Sequence, residues 1–174
     1  SNGGAIAIYK KSTETGNWEL SQIFSNTTCS DSYGLNISLV GNTFVTSGLA
    51  NGEERVIIYE WDPFSDSWAA ASQILDPNPS PTSSFGNSAD VAGNRIIVGN
   101  SGHTGTQSNE GIAYIFEKNA TTNQWELAVT FNNSGTSVNS FGSSVSISGN
   151  IAVVGDRLGE TNSVAGGSVY AYQK

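Results

Sequence analysis

One histidine, one cysteine and fifteen carboxylates are the first places to look for acid–base, nucleophilic or metal chemistry in this chain. His103 lies in Gly102-His103-Thr104-Gly105. Serine and aspartate are plentiful, so a Ser-His-Asp relay can be drawn on paper, but no nucleophile-elbow sequence accompanies the histidine. The expectation is a surface loop histidine with no catalytic part. Asp156 and Glu160, in Asp156-Arg157-Leu158-Gly159-Glu160, stand nearest to a cation-binding loop. Calcium wants six to eight oxygens, and two carboxylates with an arginine between them fall short. They are read as solvated turn acids, and neither calcium nor any other cofactor is expected. The matching stretches Asn100-Ser101-Gly102-His103 and Leu49-Ala50-Asn51-Gly52-Glu53 are poorer still.

Aromatic residues offer a different chemistry, since an indole face suits a sugar ring or a protein contact. Trp18, Trp68 and Trp125 recur at one position of a repeated pattern, nine residues after Tyr9, Tyr59 and Phe116, and so read as packing residues. Trp61, followed by Asp62-Pro63-Phe64, has no counterpart and is the expected exposed contact. With His103, Glu110, Asp156 and Glu160 it makes up the candidate binding set, assigned to the face that carries the long loops. Asp90 stands where its counterparts are serine, and is expected to line an axial channel or to cap a neighbouring backbone amide. Cys29 is read as buried or as paired between molecules, with no intrachain partner open to it.

Composition limits the partners. Seven basic residues against fifteen acidic ones give a net charge of −8, which leaves no basic surface for nucleic acid or anionic lipid. No apolar run approaches the roughly 20 residues that cross a bilayer. Charged residues are only 13%, and Ser, Thr, Asn and 20 glycines carry the polarity, the make-up of an extracellular β protein. Sequons begin at Asn26, Asn36, Asn119 and Asn132. Those at Asn26 and Asn132 are expected to carry glycan in a eukaryotic host, and Asn36 to be the poorest acceptor. The absence of any Met and of a leader at the start reads as a processed product or an excised piece.

The elements that hold these residues are repeats. Tyr33-Gly34, Phe85-Gly86 and Phe141-Gly142 each open a short alternating segment that ends in Gly-Asn, at Gly41-Asn42, Gly93-Asn94 and Gly149-Asn150. An apolar run, a loop and a third run ending in an aromatic follow: Val56 to Tyr59, Ile112 to Phe116, Ser168 to Tyr172. A fourth segment opens at the tryptophan. Each piece is short, β-branched or aromatic, and bounded by glycine, so each reads as a strand, with Gly-Asn as a hairpin turn. Four antiparallel strands in about 50 residues make a propeller blade. The spacing predicts one all-β unit over 1–174, about three four-stranded blades incomplete or open at the ends, with repeats near 1–32, 33–84, 85–140 and 141–174. Connections at Gly48 to Glu54, Asn100 to Gly111 and Asp156 to Gly167 are expected to be the long loops of a binding face.

Phe141-Gly-Ser-Ser-Val-Ser-Ile-Ser-Gly-Asn-Ile-Ala-Val-Val-Gly-Asp, running on to Gly167-Ser-Val-Tyr-Ala-Tyr, resembles the FG-GAP repeat of integrin-α-like β-propellers. The second repeat keeps Phe85-Gly86 and Ile96-Ile97-Val98-Gly99. The first is worn, with Tyr33 for Phe and Ser47-Gly48 for Val-Gly. The resemblance implies a non-enzymatic extracellular propeller used in adhesion, recognition or assembly, with a lectin-like glycan-binding module as the alternative. Because the chain opens and closes on a third strand, its ends are expected to be completed by another copy or by flanking blades, giving a ring of about six or an open filament.

Overall fold

The computed structural model of the chain describes residues 4–25, 33–50, 52–105, 109–132, 140–161 and 164–174. Among them there is no helix, and all the paired strands are antiparallel. The first sheet pairs β1 (Ala5–Lys11) with β2 (Trp18–Ser25). A four-stranded sheet follows in the order β3 (Ile37–Val40), β4 (Thr43–Ala50), β5 (Glu53–Asp62), β6 (Ser67–Leu75). A second has the same order: β7 (Phe85–Ala92), β8 (Arg95–Asn100), β9 (Ile112–Lys118), β10 (Trp125–Asn132). After β11 (Phe141–Ser148) and β12 (Ile151–Asp156) comes a small hairpin, β13 (Glu160–Thr161) with β14 (Val164–Ala165). Then β15 (Ser168–Gln173) pairs with β12 to make a three-stranded sheet.

These sheets stack face to face, which is why β8 is apolar along most of its length. Ile96 and Ile97 are fully buried on opposite faces, in two separate clusters. Each such side chain contributes about 2 kcal/mol of burial. The three seams between successive sheets are three apolar clusters. Ile6, Tyr33, Phe44, Tyr59 and Trp68 close the first. Val56, Ile58 and Ile74 meet Phe85, Val98, Tyr114 and Phe116 in the second. Ile97, Ala113 and Ile115 meet Phe141, Ile147, Ala152 and Val154 in the third.

The aromatic-glycine pair that opens each repeat has a geometric cause. Phe85 pairs with Asn100 and Phe141 with Asp156, after which the register slips to Ser88 and Ser144. The glycine in the slip has φ of +84° at Gly86 and +82° at Gly142, a region that side chains avoid. A Cβ on Gly142 would also run into the Ile112 carbonyl oxygen and the Asn100 amide of the preceding sheet. Gly99 is the floor on which this turn sits, since a Cβ there would overlap the Gly142 carbonyl oxygen and the Ser88 hydroxyl. Ser88 donates to that same carbonyl at 2.8 Å.

One connection differs from expectation. Gly48 to Glu54 is no long loop: β4 and β5 pair through Ala50 and Glu53, leaving a tight hairpin. Asn51-Gly52 is the turn signal, and Gly52 has φ of +79°. Of the three within-sheet connections on this side, those after β8 and β12 are the long ones.

Candidate functional site

The loop between β8 and β9 and the 76–84 connection between the two four-stranded sheets are locked by polar contacts. Asp76 Oδ2 accepts from Ser83 Oγ and from Asn100 Nδ2, each at 2.8 Å, and its Oδ1 accepts the Asn78 amide at 2.9 Å. The Asn100 side chain is fully buried, and its Oδ1 takes the Ser84 amide at 2.8 Å. Thr82 donates to the Gly102 carbonyl at 2.7 Å, and its hydroxyl lies 2.6 Å from that of Thr104. Beside this knot is an open cleft of about 310 Å3, lined by Glu53, Glu54, Asp76, Ser80, Pro81 and Ser83. Glu54 accepts the Phe85 amide at 2.7 Å. Burial pushes its carboxyl above the usual range, against the pull of the Ser83 and Phe85 hydrogen bonds.

His103 overturns its expectation. It is only 4% exposed, because the 76–84 segment covers it, with Asn78 Nδ2 at 3.4 Å from Nε2. Its Nδ1 is buried without a hydrogen-bonding partner, and its backbone closes the loop by accepting from Gly111. It is a loop-packing residue and no surface ligand. Asp156 is likewise no solvated turn acid: it is buried, and its Oδ1 accepts the Ser140 amide at 3.0 Å, as Asn100 does for Ser84 one repeat earlier. Glu160 falls in β13, paired through Ala165. Glu110 is half-buried, its carboxylate lying against Gly105, where a Cβ would overlap it. Among the described residues, no three of His, Cys, Asp and Glu gather into a metal-holding group.

Trp61 sits at the far end of β5 from Glu54, on the short-turn side, and so does not share a surface with His103 and Asp156. It is half-buried, edge-on to Trp68 at 5.7 Å, with Lys10 Nζ 3.8 Å above its ring. The exposed aromatic of this segment is Phe64, at 99%. Its turn is braced by Asp62, which accepts the Phe64 amide at 2.9 Å and the Ser65 hydroxyl at 2.8 Å; both bonds hold the Asp62 carboxyl below its usual range. Of the repeated tryptophans, Trp68 is buried and Trp125 half-buried at the second seam, whereas Trp18 is 69% exposed. Its strand carries the same residue with no sheet covering that face among the described residues.

Asp90 does cap a backbone amide, and more. Its Oδ1 accepts from Ser38 Oγ at 2.5 Å, and its Oδ2 accepts Ser146 Oγ at 2.9 Å and the Ile147 amide at 2.8 Å. One carboxylate thus ties the first strands of three successive sheets. Among the sequons, Asn132 is exposed at the end of β10, and Asn119 is half-buried in a turn where its side chain binds the Thr121 amide and Glu126. Asn36 is half-buried with Oδ1 enclosed and unpartnered. Asn26 and Cys29 lie outside the described residues.

Sequence reasoning passed over Glu54, Asp76 and Asn100. Asn100 and Asp156 occupy one repeat position just after Val-Gly, and that pairing of two short amide acceptors was the signal that could have found them.

Every feature of these seams, a positive-φ glycine after an aromatic and a bare glycine at the end of the second strand, is a demand of the repeat itself. The FG-GAP repeat family matches residues 68–116 and 132–172, more than half of the chain, and the chain belongs to that family. FG-GAP repeats occur in extracellular and adhesion proteins such as integrins and imply a propeller-like arrangement. The worn part of the first repeat, Tyr33-Gly34 and Ser47-Gly48, falls outside the matched residues. No curated protein matches the chain. No helix among the described residues is long and apolar enough to cross a membrane.

Proposed function

We propose that this chain is a non-enzymatic extracellular propeller segment that serves adhesion or assembly, meeting further copies or flanking blades through the outer faces of its sheets. The observation that carries the reading is the face of β1 and β2: Tyr9, Trp18 and Leu20 are exposed, at positions where the next sheet buries Tyr59 and Trp68. A continuous apolar patch of that kind is unfavourable in water and marks a contact surface. At the other end Val169 is 74% exposed on β15. The loop side supports recognition rather than catalysis, since its histidine is enclosed and its carboxylates hold backbone amides. Exposed Asn132 supports glycosylation outside the cell. The test is light scattering coupled to size exclusion across a concentration series. Growth in mass with concentration, reduced in Trp18→Glu, is expected, and a monodisperse monomer throughout overturns assembly between copies.

A lectin-like reading has one observation in its favour, Phe64 presented on a braced turn. A glycan array with the isolated chain tests it, and glycan binding lost in Phe64→Ala would establish it.

A further inference from the structure

The 76–84 connection crosses between two sheets as a strap held by side chains. Pro77, Pro79 and Pro81 are exposed and carry no N–H, so alternate residues cannot donate to a neighbouring sheet. Among the described residues, the bonds between the strap and β8 with its following loop all use a side chain: Asp76 with Asn100, Asn100 with Ser84, Thr82 with Gly102, Ser80 with Thr104. Where the strap enters β7, the Phe85 amide turns to the preceding sheet and donates to Glu54 Oε2 at 2.7 Å. Glu54 stands where the next repeat has glycine. Arg55 pairs with Gly48 and Ile112 with Asn100, each the sixth residue of its second strand, so Glu54 matches Gly111. In that later repeat Gly111 forms a parallel bridge with Phe141, main chain against main chain. The earlier seam thus has a carboxylate where the later one has backbone. Only the carboxylate titrates.

The Ser83 hydroxyl has a single proton for two carboxylates, Asp76 Oδ2 at 2.8 Å and Glu54, and one of them is left without it. A proton on Glu54 supplies the missing donor. The charged and titratable groups around it are Asp76 on the strap, Glu53 and Arg55 of β5, which pair with each other at 3.4 Å, Tyr114 of β9, 3.5 Å from Asp76, and His103 behind Asn78. β4 and β7 bring no charge there. Among the described residues no ion pair reaches Glu54 or Asp76. We infer that Glu54 is a proton-operated latch: with its carboxyl protonated it closes the strap onto β5, and with its carboxyl ionised the strap loosens and the cleft of about 310 Å3 between strap and hairpin opens. The sign follows from burial, which with the Asp76 charge holds this carboxyl above its usual range. Folding favours the protonated form, so the latch is shut at the acid end and released as pH rises through the raised value. The device holds whether the chain serves adhesion or glycan binding.

The test is amide hydrogen exchange on the full chain from pH 5 to pH 8, with each rate divided by the intrinsic rate at that pH. Residues 141–144, at the equivalent turn with its main-chain contact, are the internal control. Protection of residues 83–87 is expected to fall about threefold as the pH rises, while that of 141–144 stays level. Glu54→Gln, which keeps a donor and an acceptor, is expected to show the high protection at every pH, and Glu54→Ala the low one at every pH. Level protection of 83–87 in the parent, a parallel fall in both segments, or a fall that persists in Glu54→Gln overturns the latch. Glu54→Gln conserves the side chain's shape, so it decides the question even if Glu54→Ala does not fold.

Discussion

The seam between the two four-stranded sheets and the seam that follows it are built from the same parts to different completeness. Both have an aromatic-glycine turn, a buried Phe, and a Lys–Glu pair across the outer rim; the turn of the later seam is set on the bare Gly99, and that of the earlier one lies against the Ser47 and Val56 side chains. Only the first has a tryptophan in the remaining space. The comparison separates what positions two sheets from what seals them. The turn and Asp90 set the approach of the sheets near the first strand. The fourth-strand tryptophan excludes water at the far side.

Breaking the shared part should cost most. Gly142→Ala places a Cβ against backbone atoms at a left-handed φ, and is expected to destabilise the chain by about 3 kcal/mol or more in urea titration. Gly41→Ala, also at positive φ but with open space around it, is expected to cost about 1 kcal/mol. Trp125→Ala empties the sealed seam and should cost about 3 kcal/mol by the same measurement, whereas Trp18→Ala, largely exposed, should stay within about 0.5 kcal/mol. Equal losses at the two tryptophans would mean that the sealing role was misassigned.

Asp90→Ala removes three hydrogen bonds to neighbouring sheets and leaves the Ile147 amide without its acceptor, for an expected loss of about 2 kcal/mol. Asp90→Asn should recover part of it. The smallest effect concerns Glu54, whose raised folded pKa means that the protonated form is favoured by folding. Its ionisation therefore weakens the fold above the raised value, and stability is regained as pH falls through that value toward 4.5. Glu54→Gln keeps an acceptor for the Phe85 amide, so its melting temperature should exceed that of the parent by a degree or two at pH 7. The gap should close near pH 4.

The repeat, the strand order and the all-β class were legible because a glycine bounded by apolar alternation leaves few alternatives. Gly142 and Gly99 could be picked out as pattern without their reason, which is a backbone in the next sheet. The site residues fared worse. His103 and Asp156 look like loop residues in sequence; His103 is one and Asp156 ends β12, and segments distant in sequence fold over both, Asn78 in one case and Ser140 in the other. Burial of that kind comes from the stacking of sheets and leaves no local trace. Trp61 misled for a related cause: its uniqueness was read as exposure, whereas its place is the one Lys118 and Lys174 hold elsewhere. There the first seam exchanges an ion pair for a cation over a ring.

Stacks whose units touch only their nearest neighbours tend to come apart from the ends, one layer at a time. The carboxylate of Asp90 works against that. By gripping Ser38 on one side and Ser146 with the Ile147 amide on the other, it makes the release of either outer layer a disturbance to the central one. A pull applied across the layers would then be met by a single yield point rather than by gradual peeling. Replacing that one side chain should turn a brittle element into a compliant one.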